Sequence, residues 1–445
     1  MRTEDDRRKS FLNLAWQLIN PRIGIIRKLF RASTYDDEPR LFHYAAEICN
    51  TTIFSTGGIK EEIVGGTSIN EERAKVKAIG EAIERYSLSI YLEEHLIKAS
   101  YNELGSKQAI NPFTVVGPSK NQRRQEKYAR FLFKGYSQFN WVLSHSLFDD
   151  SERLVPAQLV YVPYICGHNE PIIRLPITTG AAAGLDISDA LYRGICEVVE
   201  RDAFIITYLN RLSPPLVDLS SLKSDLIGTL LARFDYANLE VYVFNITTDI
   251  PIPVFLCLLI DRTGVGPAIS VGAKASLNPE EAILGSIEES QQSRHWLRTL
   301  KQGKTIKPQT MKPEWENINN LEQRGLLWSD TSMIRNLSFL LKTKKKSLGG
   351  HLSNKRKGKN DKLKTCMKIL RERNQACYYV DVTTLDVEEL GLKVLKVIVP
   401  DLQPLYLDER FRYWGGSRLR NVPETLGYKR AGTQKRLNPI PHPFL

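Results

Sequence analysis

Two stretches of this chain carry the same side chains at the same spacing. They are GEAIERYS, residues 80–87, with Glu81, Glu84 and Arg85, and CEVVERDA, residues 196–203, with Glu197, Glu200 and Arg201. On a helix, residues three or four apart lie on one face. Carboxylates gathered from two such faces repel one another unless cations lie between them. Mg²⁺ prefers oxygen ligands and arginines pair with phosphate oxygens, so the repeated set suggests a nucleotide site.

The elements that would position these side chains are three long helices with apolar residues at three- and four-residue spacing. We predict these helices at about 70–93, 187–210 and 279–300. Lys77 falls on the acidic face of the first helix, and Asp189 and Arg193 fall on that of the second. The competing interpretation is an ordinary solvated face with Glu–Arg pairs along each helix, and periodicity alone favours that interpretation.

The bulk composition indicates a soluble, cytoplasmic protein. The apolar fraction of 42% and the charged fraction of 25% are those of ordinary globular chains. Six scattered cysteines include no CxxC pair, so we expect reduced thiols and neither a disulfide scaffold nor a zinc site. The first residues make a poor signal peptide, and no uninterrupted apolar run is long enough to cross a membrane.

Most of the net charge of +12 comes from one segment. Residues 341–365 hold ten Lys or Arg against one Asp, which leaves +3 for the rest of the chain. The segment lacks apolar periodicity and is rich in Gly, Ser and Asn, a composition that predicts a disordered surface loop. It offers no aromatic residue on which a base could stack, so we expect no specific nucleic-acid binding.

Helical and strand-like segments alternate irregularly along the chain, which favours a mixed α/β arrangement of the α+β type over a parallel doubly wound sheet. No glycine loop for phosphate accompanies them. The GKT at 303–305 lacks the glycine that a P-loop needs, because Arg298 occupies that position, and GVGPAI at 264–269 lacks the third glycine of a dinucleotide turn. If ATP binds, the acidic helices must hold it.

Four stretches in order resemble the YcaO family: AKVKAIGEAIERYS (74–87), TTGAAAGLDISDALYRGICEVVERDA (178–203), EEAILGSIEESQQSR (280–294) and NPIPHPFL (438–445). The resemblance spans about residues 50–445. It implies a YcaO-type fold, with sheets packed by long acidic helices, that uses ATP and Mg²⁺ without a P-loop. We therefore expect an N-terminal segment at 1–49, a catalytic domain at 50–437 that includes the basic loop, and a proline-rich tail at 438–445.

The resemblance also implies roles for individual side chains. The Mg²⁺ ligands would be Glu81, Glu84, Glu197 and Glu200. The ATP-binding residues would be Lys77, Arg85, Asp189, Arg201, Gln291, Gln292 and Arg294. Which of the two adjacent glutamines faces the site is left open. Lys77 stands where the family often has serine, so it either contacts a phosphate or is a residue of the helix surface.

Azoline-forming members of the family activate a backbone amide. A Cys, Ser or Thr side chain of a substrate peptide attacks the preceding carbonyl, ATP phosphorylates the oxygen, and phosphate leaves to give a thiazoline or oxazoline. Alternating Pro439, Pro441 and Pro443 hold an extended backbone at low entropic cost. They resemble the tail that enters the active site in this branch, so we expect the Leu445 carboxylate to assist proton transfer there. The alternative is a stiff disordered tail or a ligand for a proline-binding groove.

The resemblance implies a discrete cyclodehydratase subunit of the thiazole/oxazole-modified microcin and bacteriocin type. Its partners would be a ribosomal precursor peptide and an E1-like or ocin-ThiF-like protein that captures the leader peptide, and a homodimer is left open. We expect no membrane partner. Two alternatives stand beside azoline formation: thioamidation or macroamidine formation on the same scaffold, and a non-catalytic binding protein that keeps the fold.

Overall fold

The computed structural model describes residues 4–60, 62–301, 315–347, 359–428 and 437–445. Helices and largely antiparallel sheets share its core, which gives the mixed α+β fold predicted from the sequence. The strands of these ranges are β1 (Ile26–Arg31), β2 (Phe42–Ile48), β3 (Glu62–Ser68), β4 (Ile97–Ser100), β5 (Gln138–Ser146), β6 (Glu152–Pro156), β7 (Ala181–Gly184), β8 (Leu216–Val217), β9 (Glu240–Asn245), β10 (Val254–Ile260), β11 (Ile269–Ala275), β12 (Lys345–Lys346), β13 (Tyr378–Asp381) and β14 (Lys393–Ile398).

Three long α-helices dominate the helical part, and they lie close to the positions predicted from the apolar spacing. The α-helices of the described ranges are α1 (Glu4–Ala15), α2 (Glu71–Leu88), α3 (Tyr101–Gln108), α4 (Ile187–Leu209), α5 (Asp225–Tyr236), α6 (Pro279–Lys301), α7 (Leu321–Trp328), α8 (Ser338–Leu341), α9 (Lys359–Glu372), α10 (Leu385–Glu388) and α11 (Arg418–Thr425). None of them is both long and apolar enough to cross a membrane.

The strands form three sheets. Their orders are β1-β2-β3, then β11-β10-β9-β8-β12, and finally β4-β5-β13-β14-β7 with β6 paired to β5. The ladders are antiparallel except for the short parallel pair of β12 and β8. Within the described residues β11 pairs with β10 alone, so the backbone amides on its other edge are available to side chains.

Helix α2 begins with a side-chain cap. Asn70 Oδ1 accepts a hydrogen bond from the backbone N–H of Arg73 at 3.0 Å, which satisfies one of the amides that a helix start leaves unpaired. One face of the helix, including Ile79 and Ile83, is buried against β2 and β3. The helix also contacts β7, and Glu84 reaches that strand.

Helix α4 is buried along most of its length. Asp186 caps its start by accepting from the backbone N–H of Asp189 at 3.0 Å. The helix packs against β7, β11 and β14, and even Glu200 on its charged face is buried. The solvated-face interpretation is therefore wrong for Glu200 and Arg201, which the fold covers, whereas Arg193 nearer the helix start is 57% exposed.

Helix α6 starts at Pro279, directly after Asn278, whose side chain accepts from the N–H of Glu280 at 3.0 Å. It lies across β10 and β11. A Cβ atom at Gly272 of β11 would lie 2.3 Å from the backbone nitrogen of Ser290 in this helix. Only glycine therefore lets α6 approach β11 closely enough to bring its carboxylates to the strand edge.

The predicted disordered loop at 341–365 is wrong at both of its ends. Lys345–Lys346 form β12, and helix α9 begins at Lys359. The apolar face of α9, with Cys366 and Leu370, is buried in the main core, so its residues lie in a packed element. Residues 348–358, the middle of that prediction, lie outside the described residues.

Candidate active site

Four glutamates from the three long helices each accept a hydrogen bond from a strand or turn amide. Each bond occupies one carboxylate oxygen, so the second oxygen stays available to another partner. The four contacts are Glu84 Oε1 with Ala183 N at 2.8 Å, Glu197 Oε2 with Gly180 N at 3.1 Å, Glu200 Oε2 with Ala275 N at 2.9 Å, and Glu289 Oε2 with Ala273 N at 2.8 Å. We call Glu81 together with these four glutamates the carboxylate cluster.

Two arginines neutralise part of the carboxylate cluster. Arg85 lies 3.4 Å from Glu81 on its own helix and 3.3 Å from Glu62 at the start of β3. Arg201 lies 2.7 Å from Glu200, and its guanidinium also contacts two further members of the cluster. Those longer contacts are 3.6 Å to Glu197 and 3.8 Å to Glu289. Arg201 therefore joins the carboxylates of α4 to that of α6.

Carboxyls of the cluster have raised pKa values. Burial raises the pKa of the Glu84 carboxyl to about 8, and the nearby negative charges of Glu197 and Glu81 add to the shift. Burial likewise raises the pKa of Glu200 to about 7, against the opposing effect of Arg201. Carboxyls with a raised pKa at a cluster of this kind mark a place where a cation would be stabilised.

The donor set fits Mg²⁺ bound together with a nucleotide. Oxygen ligands suit this ion, and it is usually held by one or two carboxylates while phosphates and water complete its shell. Within the described ranges, no three His, Cys, Asp or Glu side chains are arranged to hold a metal ion by themselves. The oxygens of the anchored glutamates that do not accept from backbone amides could supply the protein's part of the shell, with Glu200 exchanging its contact with Arg201 for the ion. Glu81, Glu84, Glu197 and Glu200 remain our predicted ligands.

The turn between Thr178 and Gly184, whose amides anchor Glu197 and Glu84, is itself fastened by a buried lysine. Lys396 of β14 donates to the carbonyl oxygens of Ile177 at 2.6 Å and Thr179 at 2.7 Å. Burial lowers its pKa to about 7, partly opposed by the negative charge of Glu197. Lys396 thus fixes the turn that orients two of the carboxylates.

Lys77 and Asp189 have partners of their own. Lys77 Nζ lies 2.6 Å from Glu288 and 2.8 Å from the carbonyl oxygen of Thr67. Glu288 also accepts from the backbone N–H of Ile69 at 3.0 Å, so this group ties α2, β3 and α6 together. Asp189 is buried and lies 3.6 Å from Arg193. Their predicted contacts with ATP stay predictions.

The adjacent glutamines have different surroundings. Gln292 joins α6 to β3, because it accepts from Thr67 N and donates to the carbonyl of Gly65, both at 3.1 Å. Gln291 is fully buried, and neither of its amide atoms has a hydrogen-bond partner. Arg294 donates to Asp261 at 2.8 Å and to the carbonyl of Pro267 at 3.0 Å. The contacts of these three residues are outside the carboxylate cluster, and their assignment to the ATP site is untested.

The proline-rich tail is docked along α4 and α7. Prolines lack an N–H group, so the tail offers mainly carbonyls, and buried donors bind them. The contacts are Arg412 to Pro439 O at 2.8 Å, Tyr208 to Pro441 O at 2.9 Å, Trp328 to Pro441 O at 3.1 Å and Arg324 to His442 O at 3.0 Å. Residues 437–445 are therefore a packed segment, and Pro443 and Phe444 are buried.

The end of the tail meets the carboxylate cluster. The guanidinium carbon of Arg201 lies 4.2 Å from the centre of the Phe444 ring. That ring also packs on Phe204 of α4, with 4.8 Å between ring centres. Leu445 follows directly and is partly exposed. The tail thus contacts the same arginine that joins Glu197, Glu200 and Glu289.

Three residues of this site were missed by the sequence reasoning. Glu289 was passed over because it is one of two adjacent glutamates, and its neighbour Glu288 pairs with Lys77 instead. Lys396, a lysine between buried apolar residues of β14, was a detectable signal. The position of Phe444 depends on tertiary packing and left no local signal.

The fold and the carboxylate cluster together indicate an ATP-dependent protein of mixed α+β architecture whose sequence lacks a P-loop. A family profile described as YcaO cyclodehydratase, ATP- and Mg²⁺-binding, matches residues 65–403. The chain belongs to the YcaO family, and ATP and Mg²⁺ are its cofactors.

Solved structures share this fold. A heterocyclase in complex with substrate and cofactor is 24% identical, with a TM-score of 0.79 over 98% of this chain and 57% of its own. YcaO from Methanopyrus kandleri, bound with AMPPCP and Mg²⁺, is 17% identical, with a TM-score of 0.62 over 89% of this chain and 91% of its own.

A third structure is the E. coli microcin synthetase McbBCD complex with pro-MccB17 bound. It is 14% identical, with a TM-score of 0.59, and the match covers 86% of this chain and 90% of that one. Relatives with this fold thus bind substrate and assemble into complexes. The present chain spans a little over half of the heterocyclase chain, at 57%.

Proposed function

We propose that this protein uses ATP to activate backbone amides of a ribosomally made peptide and closes Cys, Ser or Thr residues into thiazolines or oxazolines. The packing of Phe444 against Arg201 carries this proposal, because it places the proline-rich tail beside the carboxylate cluster. In the azoline-forming branch that the sequence resembles, such a tail belongs to the active site. We infer a cytoplasmic enzyme that works on a peptide substrate.

The side chains of the site would bind and orient. The anchored carboxylates, with one oxygen each on a backbone amide, would hold Mg²⁺ through their other oxygens, and Arg85 and Arg201 would pair with phosphate oxygens. Bound ATP supplies the phosphoryl group that turns an amide oxygen into a leaving group. Because the backbone amides hold the carboxylates in place, the carboxylates need not reorient when charge moves during the reaction. Such preorganisation is usually the largest single contribution to this kind of catalysis.

The tail would complete the wall of the site next to Arg201. Pro439 and Pro441 are held through their carbonyls by buried donors, so the segment after them has few ways to move. Pro443 then directs Phe444 onto Arg201. We propose that Leu445 lies at the place where the peptide reacts and that its carboxylate assists proton transfer, a role that appending one glycine after Leu445 would test.

The proposed partners are a precursor peptide and a leader-binding protein of the E1-like or ocin-ThiF-like type. Relatives of this fold are found with a substrate and in a multi-protein complex. The heterocyclase also has a large part that this chain does not match.

The test is a reconstitution with ATP, Mg²⁺, the precursor peptide and the leader-binding protein. We expect each modified residue of the peptide to lose one water, and fragmentation to place the loss at a Cys, Ser or Thr and its preceding carbonyl. Replacement of an oxygen by sulfur would indicate thioamidation instead, and water loss at the peptide's amino terminus would indicate macroamidine formation. Absence of ATP consumption with every partner would refute an enzymatic function.

A matched pair of variants ties that activity to the site. Glu197→Gln removes one carboxylate charge of the cluster and keeps an acceptor for Gly180 N–H. Glu280→Gln makes the same change at the partly exposed start of α6, outside the cluster. Ring formation that is lost in the first variant and kept in the second supports the proposal. Equal activity of both variants with the unaltered protein would remove Glu197 from the chemistry.

A further inference from the structure

The tail contacts the carboxylate cluster through the ring of Phe444, which lies on the guanidinium of Arg201. Arg201 has Glu200 at 2.7 Å, Glu197 at 3.6 Å and Glu289 at 3.8 Å. Its side chain is 13% exposed, and Phe444 is 1% exposed, so little water separates or screens the two groups. An attraction between a guanidinium and an aromatic face is strongest when both groups are desolvated.

Phe444 covers the face of the Arg201 guanidinium, and the N–H donors of that group point outward in its plane. The ring centre is 4.2 Å from the central carbon of the group, which is contact distance for a cation over an aromatic face. Carboxylates accept from the edge of a guanidinium, so the ring and the carboxylates do not compete for the same surface. Phe444 therefore restricts Arg201 to the orientation in which it reaches α4 and α6 together.

The ring is itself held by the docked tail. Buried donors hold the carbonyls of Pro441 and His442, three and two residues before the ring. The ring of Phe204 packs against the ring of Phe444. A tail that leaves its groove would take the ring away from Arg201. Docking of the tail and the orientation of Arg201 are thus coupled through the contact between Phe444 and Arg201.

We propose that Phe444 is a positioning residue for Arg201, through which docking of the tail prepares the carboxylate cluster to bind the phosphates of a Mg²⁺-nucleotide. This inference deepens the proposed function and rests on it for the role of the cluster, but it concerns binding and not ring formation. The coupling is reciprocal, so a bound Mg²⁺-nucleotide also stabilises the docked tail.

The experiment compares the affinity for Mg²⁺-AMPPCP of the intact chain and its variants by calorimetry. Phe444→Leu keeps an apolar side chain but removes the aromatic face. Pentafluorophenylalanine at position 444 keeps the ring and reverses the charge of its face. We expect both changes to weaken binding about tenfold, since desolvated contacts of this kind are the strong ones. Affinity within twofold of the unaltered protein in the fluorinated variant would overturn the proposal.

Phe204→Leu is the matched control for lost packing. It makes the same substitution in a ring that touches Phe444, and no cation–ring contact of Phe204 is present among the described residues. We expect a lower melting temperature and an affinity for Mg²⁺-AMPPCP within twofold of that of the unaltered protein. An equal loss of affinity in both leucine variants would assign the effect of Phe444 to general packing and would overturn its positioning role.

A second readout needs neither nucleotide nor metal. Thermal unfolding of Phe444→Leu, Arg201→Gln and the double variant forms a cycle, and we expect the two losses to be less than additive because the residues act through one contact. Additive losses would overturn the coupling. If Arg201→Gln fails to fold, the melting temperature of the fluorinated Phe444 variant replaces the cycle as the test of the coupling. The two proposals fail separately: an unaltered protein that forms no rings would count against the proposed chemistry, whereas unchanged affinities in the Phe444 variants would count against the role of Phe444.

Discussion

Replacement of Glu84 by glutamine tests the electrostatics of the carboxylate cluster directly. In the metal-free protein the pKa of this carboxyl is about 8 where its ordinary value is 4.5, chiefly because of burial. The folded protein therefore holds the proton more tightly than the unfolded chain. The stability that follows is complete below the unfolded pKa and is lost as the pH rises through the folded pKa. The window thus runs from 4.5 to about 8.

The size of the effect follows from the shift. Each pKa unit corresponds to about 1.4 kcal/mol, so a shift of more than three units gives roughly 4–5 kcal/mol as an upper bound when Glu84 is ionised. Glu84→Gln removes this cost and keeps an oxygen to accept from Ala183 N–H. We expect the variant to be more stable than the unaltered protein by several kcal/mol at about pH 9, and to differ little from it near pH 4.

The assay is urea unfolding of metal-free protein across that pH range, followed by tryptophan fluorescence. Glu372→Gln is the control, because this glutamate of α9 is 60% exposed and its ion pair among the described residues is with Lys368 at 3.7 Å. We expect the control to follow the unaltered protein at every pH. A stability difference for Glu84→Gln that is the same at low and high pH would contradict the reasoning, since it would show that the charge of Glu84 is not what costs stability.

Three further variants are informative. Glu200→Gln should lower ATP turnover by at least about a hundredfold, because loss of groups that merely orient ligands already costs roughly 10–100-fold; undiminished turnover would exclude Glu200 as a ligand. Lys396→Met should leave the carbonyls of Ile177 and Thr179 unpaired and raise the KM for ATP about tenfold, with faster hydrogen exchange in residues 178–184; unchanged exchange would refute its fastening role. Deletion of residues 439–445 should abolish ring formation and also lower the melting temperature, because it removes the carbonyl to which the buried donors of Tyr208 and Trp328 bind; an unchanged melting temperature would show that the tail is not docked.

The sequence predicted the helices of this fold well because their signals are local. Apolar spacing and capping residues placed α2, α4 and α6 within a few residues of their observed bounds. The loop prediction at 341–365 failed for α9 because the Lys-rich segment contains only the start of one narrow apolar face, which begins at Leu363 and continues beyond the segment with Cys366 and Leu370. That face becomes informative only once a core is present to cover it.

The candidate site was predicted in part. The twin glutamate–arginine sets were expected to face each other, and the structure brings them close enough that, in addition to burial, the charge of Glu197 raises the pKa of Glu81 and of Glu84. The sequence could not show that Glu289 completes the cluster and Glu288 does not, because two adjacent helix residues differ only in the direction they face. It also could not show that Lys396 fastens the turn, since that contact joins residues more than two hundred positions apart.

The glutamates of this site depend on peptide nitrogens of Gly180, Ala183, Ala273 and Ala275, and every amino acid but proline provides such a nitrogen. Gly180 is required for a second reason, because its φ is +90° and a Cβ there would lie 2.3 Å from Val397 O. Comparison of related chains would therefore give the three alanine positions no credit as functional, although the orientation of the cluster rests on them. Their importance would show only in an exclusion: across active relatives, proline should be the residue that never occurs there.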